Sequence, residues 1–171
     1  MTKVILCGYM ASGKTTIAKL LSQATELPYI DLDEIIEKEE GKSVAQIFAD
    51  EGEIKFRKLE HKMLHGLAGV EESFILALGG GTPSYANNHE VLQRDDVISV
   101  YLKTSIDEII KRITAQENRR PLVANLHGDA LHEFVAIHLF ERSYYYHKAK
   151  HIVVTDGKTP TDVVNQIMSL F

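Results

Sequence analysis

Residues 8–15 read GYMASGKT, the pattern G-x-x-x-x-G-K-[ST]. An apolar run, KVILC (3–7), precedes it and a helical pattern, TTIAKLLSQA (15–24), follows. Between a strand and a helix, the N–H groups of such a loop turn inward around phosphate oxygens. The helix N-terminus adds its dipole and its free donors. Lys14 is placed to reach β- and γ-phosphates, and the Thr15 hydroxyl to ligate Mg²⁺. Gly8 and Gly13 suit a backbone that must approach phosphate closely. Ala11, Ser12, Gly13, Lys14, Thr15 and Thr16 are therefore the expected nucleotide-contacting set. The stretch calls for a nucleoside triphosphate and leaves the acceptor open.

The rest of the chain continues the strand–helix alternation. KVILC (3–7), PYID (28–31), FILAL (74–78), ISVYL (98–102) and HIVVT (151–155) read as strands covered on both faces. Helical patterns at 15–24, 105–114 and 162–170 separate them, which implies a parallel sheet with right-handed crossovers. Two intervals exceed a simple crossover. Residues 32–73 hold three helical segments, at 33–40, 43–50 and 53–68. Residues 103–150 hold a polar patch, TAQENRRPLV (114–123), and a helix from about 129 to 147. Both read as insertions on one core, and ligands of open α/β sheets gather at the carboxyl ends of strands.

With 171 residues, one domain is expected. The net charge of −5 gives no global attraction to nucleic acid or anionic membrane. No run approaches the ~18 apolar residues of a membrane span. MTKVILCGYM runs straight into the loop, and no secretory leader is expected. A single cysteine, Cys7, fits a reducing, cytoplasmic location. No exposed coiled coil is evident, and a monomer is expected.

Several residues after strands ask for a partner. Asp31 and Asp33 follow the second strand, where charge is costly unless compensated. Extended residues two apart share a side, so both face the site if the strand persists through Leu32. Asp31, near the loop, suits Mg²⁺ through a water; Asp33 serves either the site or as a helix cap. Gly79, Gly80 and Gly81 follow the third strand and suit a close approach or a bare N–H. Arg57 lies about 100° around its helix from Phe56, at the margin of the buried face. Arg119 and Arg120, just before Pro121, suit a lid closing on the transferring phosphoryl group.

GYMASGKTT, DLD, GEIKFRKLE (52–60), GGGT and RPLV, in this order, resemble the shikimate kinases, nucleoside-monophosphate-kinase-like members of the P-loop proteins. The resemblance implies a P-loop NTPase three-layer α/β/α fold with a five-stranded parallel sheet. A single kinase domain, 1–171, would carry a helical substrate-binding insertion (about 32–70) and a lid (about 112–126). It implies ATP and Mg²⁺ as cofactors and shikimate as substrate, phosphorylated on its 3-hydroxyl in aromatic amino-acid biosynthesis. Position by position, Lys14 and Arg120 would act on the phosphoryl group. Thr15 and Asp31 would serve the metal. Asp33 would bind and orient the attacking hydroxyl. Arg57 and Arg142 would hold the carboxylate. Gly79, Gly80 and Gly81 would present backbone to substrate. Arg112 matches the arginine that stacks on adenine, and TDGKTP (155–160) the adenine-side loop. Ala11 stands where the family often has glycine, and restricts φ there.

Other signals are set aside. His61 and His65 have metal-ligand spacing without a supporting ligand set. Tyr144–Tyr146 read as packing with a wet edge, and Cys7 as a small buried hydrophobe. The rivals are another small-molecule kinase on the same core, such as a gluconate or nucleoside monophosphate kinase, and a nucleotide-binding module without catalysis.

Overall fold

Along the first strand, β1 (Lys3–Cys7), alternate side chains enter two separate cores. In the computed structural model, which describes residues 2–117 and 121–171, Val4 and Leu6 pack against Ile17 and Leu21 of α1 (Lys14–Thr25) and Val163 and Ile167 of α7 (Pro160–Met168). Ile5 and Cys7 face the opposite layer. There they meet α2 (Leu32–Glu40), α3 (Val44–Glu51), α4 (Glu53–Gly69), α5 (Ile106–Ala115) and α6 (Gly128–Tyr146). The period-two alternation of a strand thus builds an α/β/α sandwich.

The sheet is parallel throughout, in the order β2 (Tyr29–Asp31), β3 (Phe74–Ala77), β1, β4 (Val97–Lys103), β5 (His151–Val154). All five strands fall where the apolar runs place them. Their order is what positions the site. β1 and β3 are neighbours, with Leu6 in register with Ala77. The Leu78 N–H donates to the Leu6 carbonyl at 3.0 Å just as both strands end. The phosphate loop and the glycine triplet therefore emerge side by side.

The long interval after β2 forms the three expected helices, α2 to α4. Ser43 caps α3 with a reciprocal Gln46 bond, and Thr159 and Asp162 do the same for α7 behind Pro160. One expectation fails in detail. The strand does not persist through Leu32: β2 ends at Asp31, and Leu32 already begins α2. The cap is Asp31 and not Asp33, because the Asp31 carboxylate accepts from the N–H groups of Asp33 (2.9 Å) and Glu34 (3.4 Å). Two 3₁₀ stretches, Thr82–Ser84 and Asn88–Gln93, follow β3 and were not anticipated.

Candidate active site

The loop after β1 is shaped by its backbone. Gly8 has φ 152°, Ala11 φ 60° and Gly13 φ 92°. A Cβ at Gly8 would lie 2.8 Å from both the Leu102 carbonyl and Ser12 Oγ. No side chain caps α1 at Gly13, so its first N–H groups point into the loop. The Lys14 ammonium donates to the carbonyls of Gly8 (2.8 Å) and Tyr9 (2.9 Å). Buried Ser12 Oγ has no protein partner among the described residues. Beside the loop lies a cavity of about 380 Å³ lined by Ala11, Gly13, Thr16, Arg112, Thr155 and Lys158. Arg112 is tied to the loop by a bond to the Ala11 carbonyl (3.0 Å) and to Glu108 (3.1 Å). Thr155, Lys158 and Pro160, from the segment after β5, line the same cavity as the loop.

Where α1 meets the end of β2, Thr15 Oγ1 donates to Asp31 Oδ2 at 3.3 Å, and the Tyr29 hydroxyl donates to the same oxygen at 3.1 Å. Beside Asp31 the Tyr29 hydroxyl is pushed well above the usual phenol range, by burial and then by that carboxylate. The described residues hold no cluster of three or more His, Cys, Asp or Glu able to cage a metal. One hydroxyl and one carboxylate beside a phosphate loop are a fitting donor set for Mg²⁺, which keeps several waters and binds with phosphates.

The glycine triplet joins the remaining residues, each glycine meeting a different neighbour. A Cβ on Gly79 would lie 2.8 Å from Glu60 Oε1 and 3.3 Å from Asp33 Oδ1. On Gly80 it would lie 3.5 Å from an Arg142 nitrogen and 3.5 Å from the Met10 N atom of the phosphate loop. On Gly81 it would come within 2.5 Å of the Arg57 guanidinium, so only glycine lets that group lie on the chain. A second cavity, about 470 Å³, is lined by Glu53, Arg57, Gly81, Tyr85, His138 and Arg142. Arg57 and Arg142, 85 positions apart in the sequence, share it. Arg120 and Arg119 lie outside the described residues.

The comparisons with known proteins agree with this geometry. The family model "Shikimate kinase" matches residues 10–171. A shikimate kinase from Flavobacterium johnsoniae is 49% identical over 170 residues, covering 99% of each chain. A shikimate kinase structure from Bacteroides thetaiotaomicron matches at TM-score 0.90 and 31% identity, over 99% of this chain and 97% of that one. Another, from Acinetobacter baumannii in complex with shikimate, gives TM-score 0.86 and 30% identity over 98% of this chain and 91% of that one. The chain belongs to the shikimate kinase family.

Within this shikimate kinase site, the residues that sequence reasoning missed are the ones holding its arginines. Glu60 has 1% of its side chain exposed, and it accepts from Arg57 at 2.6 Å and from the Thr82 hydroxyl at 2.6 Å. Asn88 continues the chain of bonds, donating to the Thr82 carbonyl (2.9 Å) and pairing with His61 Nδ1 (2.7 Å). Arg57 itself is 15% exposed, consistent with its place at the margin of the helix. Tyr146 is buried and donates to the Gly80 carbonyl at 2.5 Å, while Tyr144 stays exposed, so the tyrosine run does divide into packing and a wet edge. Burial pushes the Cys7 thiol up to about 12, which leaves it protonated and unreactive at neutral pH. The E-x-x-F-R-x-x-E spacing was the available signal for Glu60: it lies three residues, one helical turn, past Arg57.

Proposed function

We propose a division of labour among these residues. As a member of its family, the chain is an ATP-dependent kinase that transfers the γ-phosphoryl group of ATP to the 3-hydroxyl of shikimate, giving shikimate 3-phosphate and ADP. The nucleotide occupies the loop 11–16 and the cavity beside it, with Arg112 along the adenine. Shikimate occupies the larger cavity. The observation that supports this reading is the triplet 79–81, where a Cβ added at successive glycines would meet Asp33, then Arg142 and the phosphate loop, then Arg57.

Arg57 and Arg142 hold the carboxylate, since a guanidinium matches it with parallel bonds. Asp33 accepts from a ring hydroxyl and aligns it for attack. Lys14 neutralises charge developing on the transferred group; in-line placement and charge neutralisation are most of what phosphoryl transfer requires. Thr15 and Asp31 would hold Mg²⁺, which neutralises the β- and γ-phosphates when bound. Arg120, in a lid at about 112–126, would add a further cation. α2 to α4 form the substrate-binding insertion of a single domain. Among the described residues no helix is long and apolar enough to cross a membrane; we read the protein as a cytoplasmic monomer.

The test is Arg57→Ala. Shikimate binding should weaken by about 2–5 kcal/mol, as for a charge pair losing one member, with ATP affinity unchanged. Equal loss for both ligands would overturn the assignment. ADP release should follow addition of shikimate and not of gluconate or nucleoside monophosphates.

A further inference from the structure

His138 lies one helical turn before Arg142 on α6 and lines the larger cavity, a role no motif of the sequence assigned to it. Its ring is fixed on two sides. Nδ1 pairs with the Tyr9 hydroxyl at 3.2 Å, and the ring packs on Phe134 with centroids 4.6 Å apart. Tyr9 is buried inside the phosphate loop, its carbonyl accepts from Lys14, and the Arg142 guanidinium stands 5.9 Å over its ring. Tyr9 is therefore bonded to Lys14 and to His138 and lies beneath the Arg142 guanidinium.

With Nδ1 committed to Tyr9, Nε2 is the other polar atom the ring can offer to the cavity. We propose that His138 is a third ligand for the substrate carboxylate, beside Arg57 and Arg142, and that its protonation makes acceptor binding pH-dependent. This rests on the reading that these arginines hold the carboxylate.

The charged and titratable groups around the ring are Tyr9 from the loop, Glu53 and Arg57 from α4, Tyr85 from the turn after β3, and Glu141 and Arg142 from its own helix. Burial lowers the imidazole from its ordinary value, and Arg142 and Arg57 act the same way against Glu141 and Glu53. These surroundings favour the neutral ring in the free protein. A carboxylate placed against it favours the charged form, so the bound complex takes up a proton at higher pH than the free protein. Shikimate affinity then rises as pH falls through the bound-form value, and levels off below the free-form value.

The experiment is direct calorimetric titration of shikimate from pH 8 to pH 5.5, with wild type, His138→Gln, Tyr9→Phe and Arg57→Ala. Wild-type Kd should fall about 3- to 10-fold toward the acid end, the size expected for one added charge-assisted hydrogen bond. His138→Gln should abolish the slope while ATP affinity stays as in wild type. Tyr9→Phe, which removes only the hydroxyl that orients the ring, should weaken shikimate about 2- to 5-fold and keep the slope. Independently of either variant's folding, the imidazole signals of the wild-type protein followed by NMR should show one histidine whose pKa rises on adding shikimate. A slope unchanged in His138→Gln, or no histidine shifted by shikimate, would overturn the inference. If Arg57→Ala weakens shikimate while His138→Gln keeps the wild-type slope, only His138 is misassigned. If Arg57→Ala leaves shikimate affinity untouched, the carboxylate site itself is misplaced and the inference falls with it.

Discussion

On the reading proposed above, the cleft has a nucleotide end and an acceptor end, and the two are built by opposite means. The nucleotide end is backbone: nine consecutive residues, 8–16, supply bare N–H groups, positive φ angles and a helix terminus, with Lys14 as the chief charged side chain. The acceptor end is side chains drawn from four places: Asp33 on α2, Arg57 and Glu60 on α4, Thr82 after β3, and His138 and Arg142 on α6. Anion binding by amides is generic, because every nucleoside triphosphate presents the same phosphates. Recognition of one small carboxylated polyol needs groups at fixed separations, which no short segment can supply.

Four substitutions break or sharpen that contrast. The largest effect belongs to Lys14→Met, which should reduce kcat by about 10³-fold through lost charge neutralisation, with the unfolding transition nearly unchanged; steady-state kinetics beside thermal melting check it. Asp33→Asn, at the border of the two ends, should lower kcat about 10²-fold if the carboxylate takes the hydroxyl proton, and a near-normal kcat would leave it an aligning role only. Gly81→Ala drives a methyl into the Arg57 guanidinium; the crowding should cost about 1–3 kcal/mol, seen as a higher KM for shikimate with that for ATP unchanged. An equal rise in both would erase the proposed separation of the ends. The smallest is Ala11→Gly. Ala11 holds φ 60°, and relieving a left-handed alanine should stabilise the fold by about 1 kcal/mol or less, read from a denaturant midpoint.

The same contrast explains what the sequence made legible. Local order writes itself into local pattern: the five apolar runs became five strands, and GYMASGKT announced its loop before any fold was known. The sheet order was not legible, because a strand's composition does not name its neighbour. Helical position alone put Arg57 only at the margin of a buried face, and Arg142 entered only through the likeness to a family. Glu60 escaped because a lone carboxylate on a helix ordinarily faces water; its buried partners are Arg57, one turn earlier on its own helix, and Thr82, which arrives from the turn after β3. Asp31 and Asp33 illustrate a near miss. A cap turn brings them together where a continued strand was expected.

The adjacency of β1 and β3 has a consequence for inhibitor chemistry. Neighbouring strands stand about 4.8 Å apart, and a Cβ on Gly80 would lie 3.5 Å from the Met10 N atom and 3.7 Å from the Gly8 carbonyl oxygen. A single compound joining a phosphate mimic to a cyclic acid would therefore call for a short tether, since a long one loses more entropy on binding.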